Sequence, residues 1–192
     1  MSARTMLAAL AGLSLACATS SANGPGASAE AATQSPAPAT VARAALEARS
    51  GSALTGEGVF TREGEEVVLT VAVTGVSPGT HAVHLHEKGD CSAPDASSAG
   101  GHWNPTSEAH GQWGHAPHHL GDVGNLEVGE DGSGRLVFRA GVWEVGTGGE
   151  RDIVGHALVV HEKVDDFTTQ PTGAAGGRIG CGVVVAPVAS AQ

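Results

Sequence analysis

From Ser50 onward the apolar residues of this chain alternate with polar ones in short runs, and glycine-rich turns separate the runs. Successive side chains on a strand point to opposite faces, so runs of this kind build sheets with one buried side. The segments are SALTGEGVFTR (52–62), EEVVLTVAV (65–73), THAVHLH (80–86), GNLEV (124–128), GRLVFRA (134–140), IVGHALVVH (153–161) and CGVVVAPV (181–188). Ser77-Pro78-Gly79 punctuates one junction, and Glu130-Asp131-Gly132-Ser133 marks a hairpin at another. The apolar content is valine rather than aromatic, with no Tyr, 3 Phe and 3 Trp, which favours strands over helices. No fixed period is visible, which excludes a heptad rod or a collagen-like repeat. The expectation is an all-β fold, an antiparallel Greek-key sandwich or barrel of immunoglobulin-like type with about eight strands.

The N-terminal part reads differently. Residues 1–17, MSARTMLAALAGLSLAC, place Arg4 before an apolar run and a small residue before Cys17, the layout of a secretory signal. The run is too short to span a membrane. Cys17 has two readings: the lipidated first residue of a lipoprotein, giving a membrane tether, or the centre of an A-x-A cleavage site that releases a soluble protein. Residues 18–50 are rich in Ala, Ser, Thr, Gly and Pro, which marks a flexible linker, with a short helical turn in VARAALEAR (41–49). The folded domain is expected over 51–192, exported to the periplasm or cell envelope.

Two stretches, 88–121 and 163–180, hold no strand pattern, and loops of that length in a domain carry function or disorder. All ten histidines lie between His81 and His161, five of them in the first of these loops. His84 and His86 occupy alternate positions of one strand, so they project to one side about 7 Å apart. The loop adds His102, His110, His115, His118 and His119, then Asp122, and His161 ends a later strand. Neutral imidazole suits copper and zinc, and a carboxylate among imidazoles suits zinc. Six of these histidines and one aspartate suffice for two adjacent four-ligand sites if one imidazole is shared. His81 has the opposite parity to His84 and His86, which makes it a buried support rather than a ligand. His156 reads as a plain strand residue, and His115 and His118 as loop residues with auxiliary metal capture left open. Ten Lys+Arg against twenty Asp+Glu give a net charge of −10, so no basic face is available for nucleic acid.

In order along the chain, HAVHLHEKGDCSAP, GGHWNP, HG (110–111), HLGDVGN (119–125), ALVVHEKVDD (157–166) and GGRIGCGVV (176–184) resemble copper/zinc superoxide dismutase of the bacterial exported type. The resemblance spans roughly residues 52–188. It implies copper held by His84, His86, His102 and His161, and zinc held by His102, His110, His119 and Asp122, with His102 as the bridge. It implies that Asp165 links His84 to His110, that Cys91 and Cys181 form a disulfide, and that Arg178 guides superoxide to the copper. Thr172 resembles the threonine that narrows the approach opposite Arg178. The implied reaction dismutes superoxide to dioxygen and hydrogen peroxide as copper alternates between Cu(II) and Cu(I), with structural zinc and His102 taking part in proton delivery.

The chain departs from the pattern at two positions. Pro171 stands where many relatives have a lysine that attracts superoxide, and Ala174 replaces a frequent asparagine. Residues 51–192 carry seven Lys+Arg and eighteen Asp+Glu, so the overall field repels the substrate. The rival reading is an extracytoplasmic copper- and zinc-binding module without turnover; a zinc hydrolase is disfavoured by the lack of an H-E-x-x-H helix. Sandwich faces of this kind pair in several ways, which leaves a homodimer open.

Overall fold

The structure is a computed structural model and describes residues 39–187. The signal segment, Cys17 and the greater part of the expected linker lie outside the described residues. Eight strands follow in chain order: β1 (Ala39–Ala48), β2 (Thr55–Glu63), β3 (Glu66–Thr74), β4 (Gly79–His86), β5 (Asp122–Val128), β6 (Gly134–Ala140), β7 (Ala157–His161) and β8 (Arg178–Val183). A single short 3-10 turn, Ser97–Ala99, interrupts the loop between β4 and β5.

The strands close in the order β1-β2-β3-β6-β5-β4-β7-β8, with antiparallel pairing throughout. Closure is uneven. β5 meets β6 at one pair, Val128↔Gly134, and β1 meets β8 at two, Glu47↔Cys181 and Ala48↔Gly180. The barrel is therefore a sandwich of β1-β2-β3-β6 against β5-β4-β7-β8, stitched at two corners. β4, β5 and β6 form a meander, and β3 lies beside β6, which is the Greek-key arrangement.

Burial follows period two in the first sheet. Val67, Leu69, Val71 and Val73 of β3 point inward with Phe60 of β2, while Ala72 and Thr74 face solvent. The second sheet is different, because β7 is buried along its whole length and β4 from His81 to His86. Val83, Leu85, Leu158 and Val160 join the barrel core. On the outer side Ala157, Val159 and Cys181 form a second apolar cluster with Ala96 and Ala99 of the long loop. That loop is pinned by a disulfide between Cys91 and Cys181, 90 residues apart. Closing a loop of this size stabilises by about 4–5 kcal/mol in the chain-entropy account.

Three expectations need correction. Residues 39–48 are neither linker nor helical turn but strand β1, paired along its length with β2. Ala42, Ala44 and Leu46 enter the core while Arg43, Ala45 and Glu47 face out, so the domain begins before residue 51. Alanine hides this alternation, because its strand propensity is low and it favours helices in isolation. The strand expected at 153–161 starts only at Ala157, and His156 lies in the preceding turn. The last strand runs over Arg178–Val183 rather than 181–188; beyond it Val185 keeps one bridge to Arg43.

Candidate metal centre

His84 and His86 leave the outer face of β4, the side covered by the two long loops, while Val83 and Leu85 fill the barrel. His161 ends the neighbouring strand β7, which pairs with β4. His102 comes from the first loop, brought in by a bridge between His86 and His102. One ligand nitrogen from each of the four lies within 4.8 Å of the others, and all four residues are buried. The His86 and His161 Nε2 atoms stand 3.3 Å apart.

Each ring has an outer partner or an unpaired inner atom. The His84 Nε2–H donates to Asp165 Oδ2 at 2.8 Å, and the His86 Nδ1–H donates to the Gly100 carbonyl at 3.0 Å. His84 Nδ1 and His102 Nε2 are buried without any hydrogen-bond partner. Buried polar atoms are seldom left orphaned, so inward-facing lone pairs of this kind fit a cation. Burial lowers the pKa of His86 and His161 well below the ordinary imidazole value, and the neighbouring histidines push the same way. Burial also lowers His84, against the pull of Asp165, and takes His102 to about 4 against its hydrogen bond to Asp122. The four rings are thus neutral at pH 7, the state in which imidazole binds metal.

The second cluster lies on the other side of His102. Its Nδ1 is 2.9 Å from Asp122 Oδ1, and the Nδ1 atoms of His110 and His119 are 3.0 and 3.2 Å from the same oxygen. His102 and His119 Nδ1 are 3.4 Å apart. Ligands about 2.0 Å from a tetrahedral zinc lie about 3.3 Å from each other. The spacing here is close to that, and His110 Nδ1 finds no hydrogen bond of adequate geometry. The other carboxylate oxygen, Asp122 Oδ2, accepts the backbone N–H groups of His119 (2.8 Å) and Gly111 (3.1 Å), which fixes its orientation.

Asp165 ties the clusters together, for its Oδ1 accepts the His110 Nε2–H at 2.9 Å while Oδ2 takes His84. Burial opposes ionisation of Asp122 and Asp165, yet the hydrogen bonds to histidines prevail and hold both carboxyls well below the usual range. Burial likewise opposes a charged His110, but its two carboxylate partners raise it to about 9.

Arg178, half-buried at the start of β8, donates from its two terminal nitrogens to the carbonyls of Ala96 and Gly100, both at 2.6 Å. The Gly100 oxygen therefore receives Arg178 and His86 together. The disulfide loop and β8 are held at this point by residues just past β1: Arg49 Nε donates to Cys91 O and Ser50 Oγ to Arg178 O.

The sequence of a family described as copper/zinc superoxide dismutase is matched over residues 54–184. The chain belongs to the copper/zinc superoxide dismutase family. It is 35% identical over 141 residues to the superoxide dismutase-like protein YojM of Bacillus subtilis (strain 168), covering 71% of this chain and 72% of that protein. Among solved structures it is similar to the clock protein EA4, with TM-score 0.68, 34% identity, and 77% and 94% of the two chains covered. A double mutant of a SOD-like protein from Bacillus subtilis matches with TM-score 0.67 at 36% identity, over 74% of this chain and 96% of that one.

Within this superoxide dismutase fold the ligand residues foreseen in the sequence come together in the two groups expected, with His102 in both. His81 supports from below, its ring nitrogens each 2.9 Å from a carbonyl, those of His161 and Ser77. His115 is exposed, and His118 packs at a tilt against Trp113 and contacts the His119 carbonyl; neither joins a metal-type cluster among the described residues. Two residues escaped the sequence reading. His156 donates its Nδ1–H to the carbonyls of His86 and Glu87 (3.1 Å each), and its ring packs at a tilt against Trp103. Gln170 reaches the backbone of His110 from the opposite loop. The spacing of residues along the chain gave no hint of either contact.

Proposed function

We propose that this protein dismutes superoxide, two superoxide ions and two protons giving one dioxygen and one hydrogen peroxide. Copper would be held by His84, His86, His102 and His161, and zinc by His102, His110, His119 and Asp122. The observation that carries this reading is the pair of buried four-donor clusters sharing His102, with lone pairs turned inward and no hydrogen-bond partner for several of them. Copper supplies one-electron exchange in both directions, and zinc supplies fixed charge without a redox step of its own.

The chain's own residues then do the following. His102 presents Nδ1 to one cluster and Nε2 to the other, and Nε2 is the atom able to carry a proton towards the reduced oxygen. Asp165 accepts from His84 and His110, which fixes the tautomer of one ligand in each cluster. Arg178 offers a guanidinium anchored on Ala96 and Gly100, a fixed positive charge that orients a small anion beside the first cluster. The disulfide loop shields the outer face of β7, and the disulfide itself supports residence outside the reducing cytoplasm. On that reading the protein acts in the cell envelope or periplasm, with Cys17 either lipidated as a membrane tether or removed.

The test is superoxide decay by pulse radiolysis with the protein loaded with copper and zinc, against the metal-free form. Fast metal-dependent decay supports the enzyme. Decay no faster than in free solution, with both metals shown to be bound, leaves a metal-holding protein; the name of the Bacillus relative, dismutase-like, keeps that outcome worth resolving.

A further inference from the structure

Resting on the reading of His102, His110, His119 and Asp122 as a zinc site, we infer that Gln170 is a positioning residue: its carboxamide clamps the backbone of His110 and holds that ligand in place from the second loop. His110 lies in irregular chain, where no sheet ladder pairs its backbone. Gln170 takes the place of the missing strand. Its Oε1 accepts the His110 N–H at 2.9 Å, and its Nε2 donates to the His110 carbonyl at 2.9 Å. A carboxamide offers a donor and an acceptor side by side in one plane, a pairing that neither a carboxylate nor a hydrocarbon reproduces.

The same loop grips the ring. Asp165, five positions before Gln170, accepts the His110 Nε2–H. Gly173 passes directly over that hydrogen bond at φ +65°, and a Cβ there would collide with the Asp165 carboxylate and press on His110 Nε2. Glycine is required for both reasons. The loop is braced by its own hydrogen bonds. Asp166 accepts the N–H groups of Thr168 (2.9 Å) and Thr169 (2.8 Å), Gly173 N–H donates to Thr169 O, and Asp166 N–H donates to Gly173 O. Gln170 is thus presented by a segment already folded on itself. His110 is fixed at backbone and ring together, which leaves Nδ1 aimed at Asp122 and His119. Because Asp165 also holds His84, the clamp reaches the first cluster through one carboxylate.

The experiment uses the full chain with cobalt(II) in the zinc position, where a tetrahedral site gives visible absorption bands, and follows cobalt release to a chelator. Gln170→Leu removes both bonds to His110; Gln170→Glu keeps the acceptor but loses the donor. Both are expected to release cobalt about tenfold faster, the cost usual for losing an outer-shell partner, and to change the band intensities. Val164→Ala, which trims an exposed side chain of the same loop without touching His110 or Gln170, should stay close to wild type. Wild-type release and spectrum in both Gln170 variants, or an equal change in Val164→Ala, overturns the clamp. A second readout needs no metal: the His110 amide should be protected from hydrogen exchange in the metal-free wild type and exposed in Gln170→Leu. Unchanged protection overturns the clamp, whereas failure of the wild type to take up tetrahedral cobalt overturns the zinc reading alone.

Discussion

In its metal-free state the fold should have a stability that peaks near pH 6.5 and falls on both sides. In the metal-free state His84, His86, His102 and His161 all have folded pKa values below the unfolded imidazole value of 6.5. Below pH 6.5 the unfolded chain binds protons at these sites that the folded chain refuses, so stability drops as pH falls. For His102, which sits at about 4 when folded, the loss between pH 6.5 and 4 is about 3 kcal/mol, from 1.36 kcal/mol per pK unit. The other three act in the same direction, so the total is a large share of the 5–15 kcal/mol typical of a domain. His110 has the opposite sign. Its folded value of about 9 gives a stabilisation that is complete below 6.5 and lost as pH rises through 9, again about 3 kcal/mol. The depressed carboxyls of Asp122 and Asp165 add a further loss only below pH 4. The assay is urea unfolding of the chelator-treated protein, disulfide intact, at pH 4.5, 6.5 and 9. A midpoint that is flat or rises between pH 6.5 and 4.5 would refute the claim that these four rings are buried neutral.

Other consequences follow from the same geometry. On the proposed reading, Arg178→Ala should lower the dismutation rate by about tenfold with both metals retained, measured by pulse radiolysis beside metal analysis, because a guiding charge is lost while the candidate ligands stay. The described residues carry nine Lys+Arg against nineteen Asp+Glu, so the rate should be flat or rise as salt screens the repulsion; a steep fall with added salt contradicts this. Leu46→Ala should cost about 2–5 kcal/mol in denaturant unfolding, since Leu46 of β1 is buried in the core. A chain beginning at Gly51 loses β1 altogether and should show no cooperative transition.

The strands with valine at alternate positions were legible, because period two and β-branched side chains leave little choice of structure. β3 and β6 lie within a residue of their expected bounds. β1 was not legible: Ala42, Ala44 and Leu46 alternate as regularly, but alanine carries no strand signal, and only pairing with β2 and β8 reveals the face. His156 looked like a continuation of β7, yet it closes the turn Ile153–His156 outside the strand, and its ring turns back on Trp103. The ligands were legible as residue types at spacings that matched a family, and parity alone separated His81 from His84 and His86.

The sequence by itself therefore determined the valine-rich sheet-forming segments and the chemistry of the candidate ligands, since these depend on local pattern and residue type. Only the tertiary structure decided where the domain begins and which groups hold the ligands from outside. Arg49 on Cys91 and Gln170 on His110 join residues 42 and 60 positions apart. Such contacts leave no periodic trace, because a single hydrogen bond between two loops constrains one side chain at each end and nothing in between.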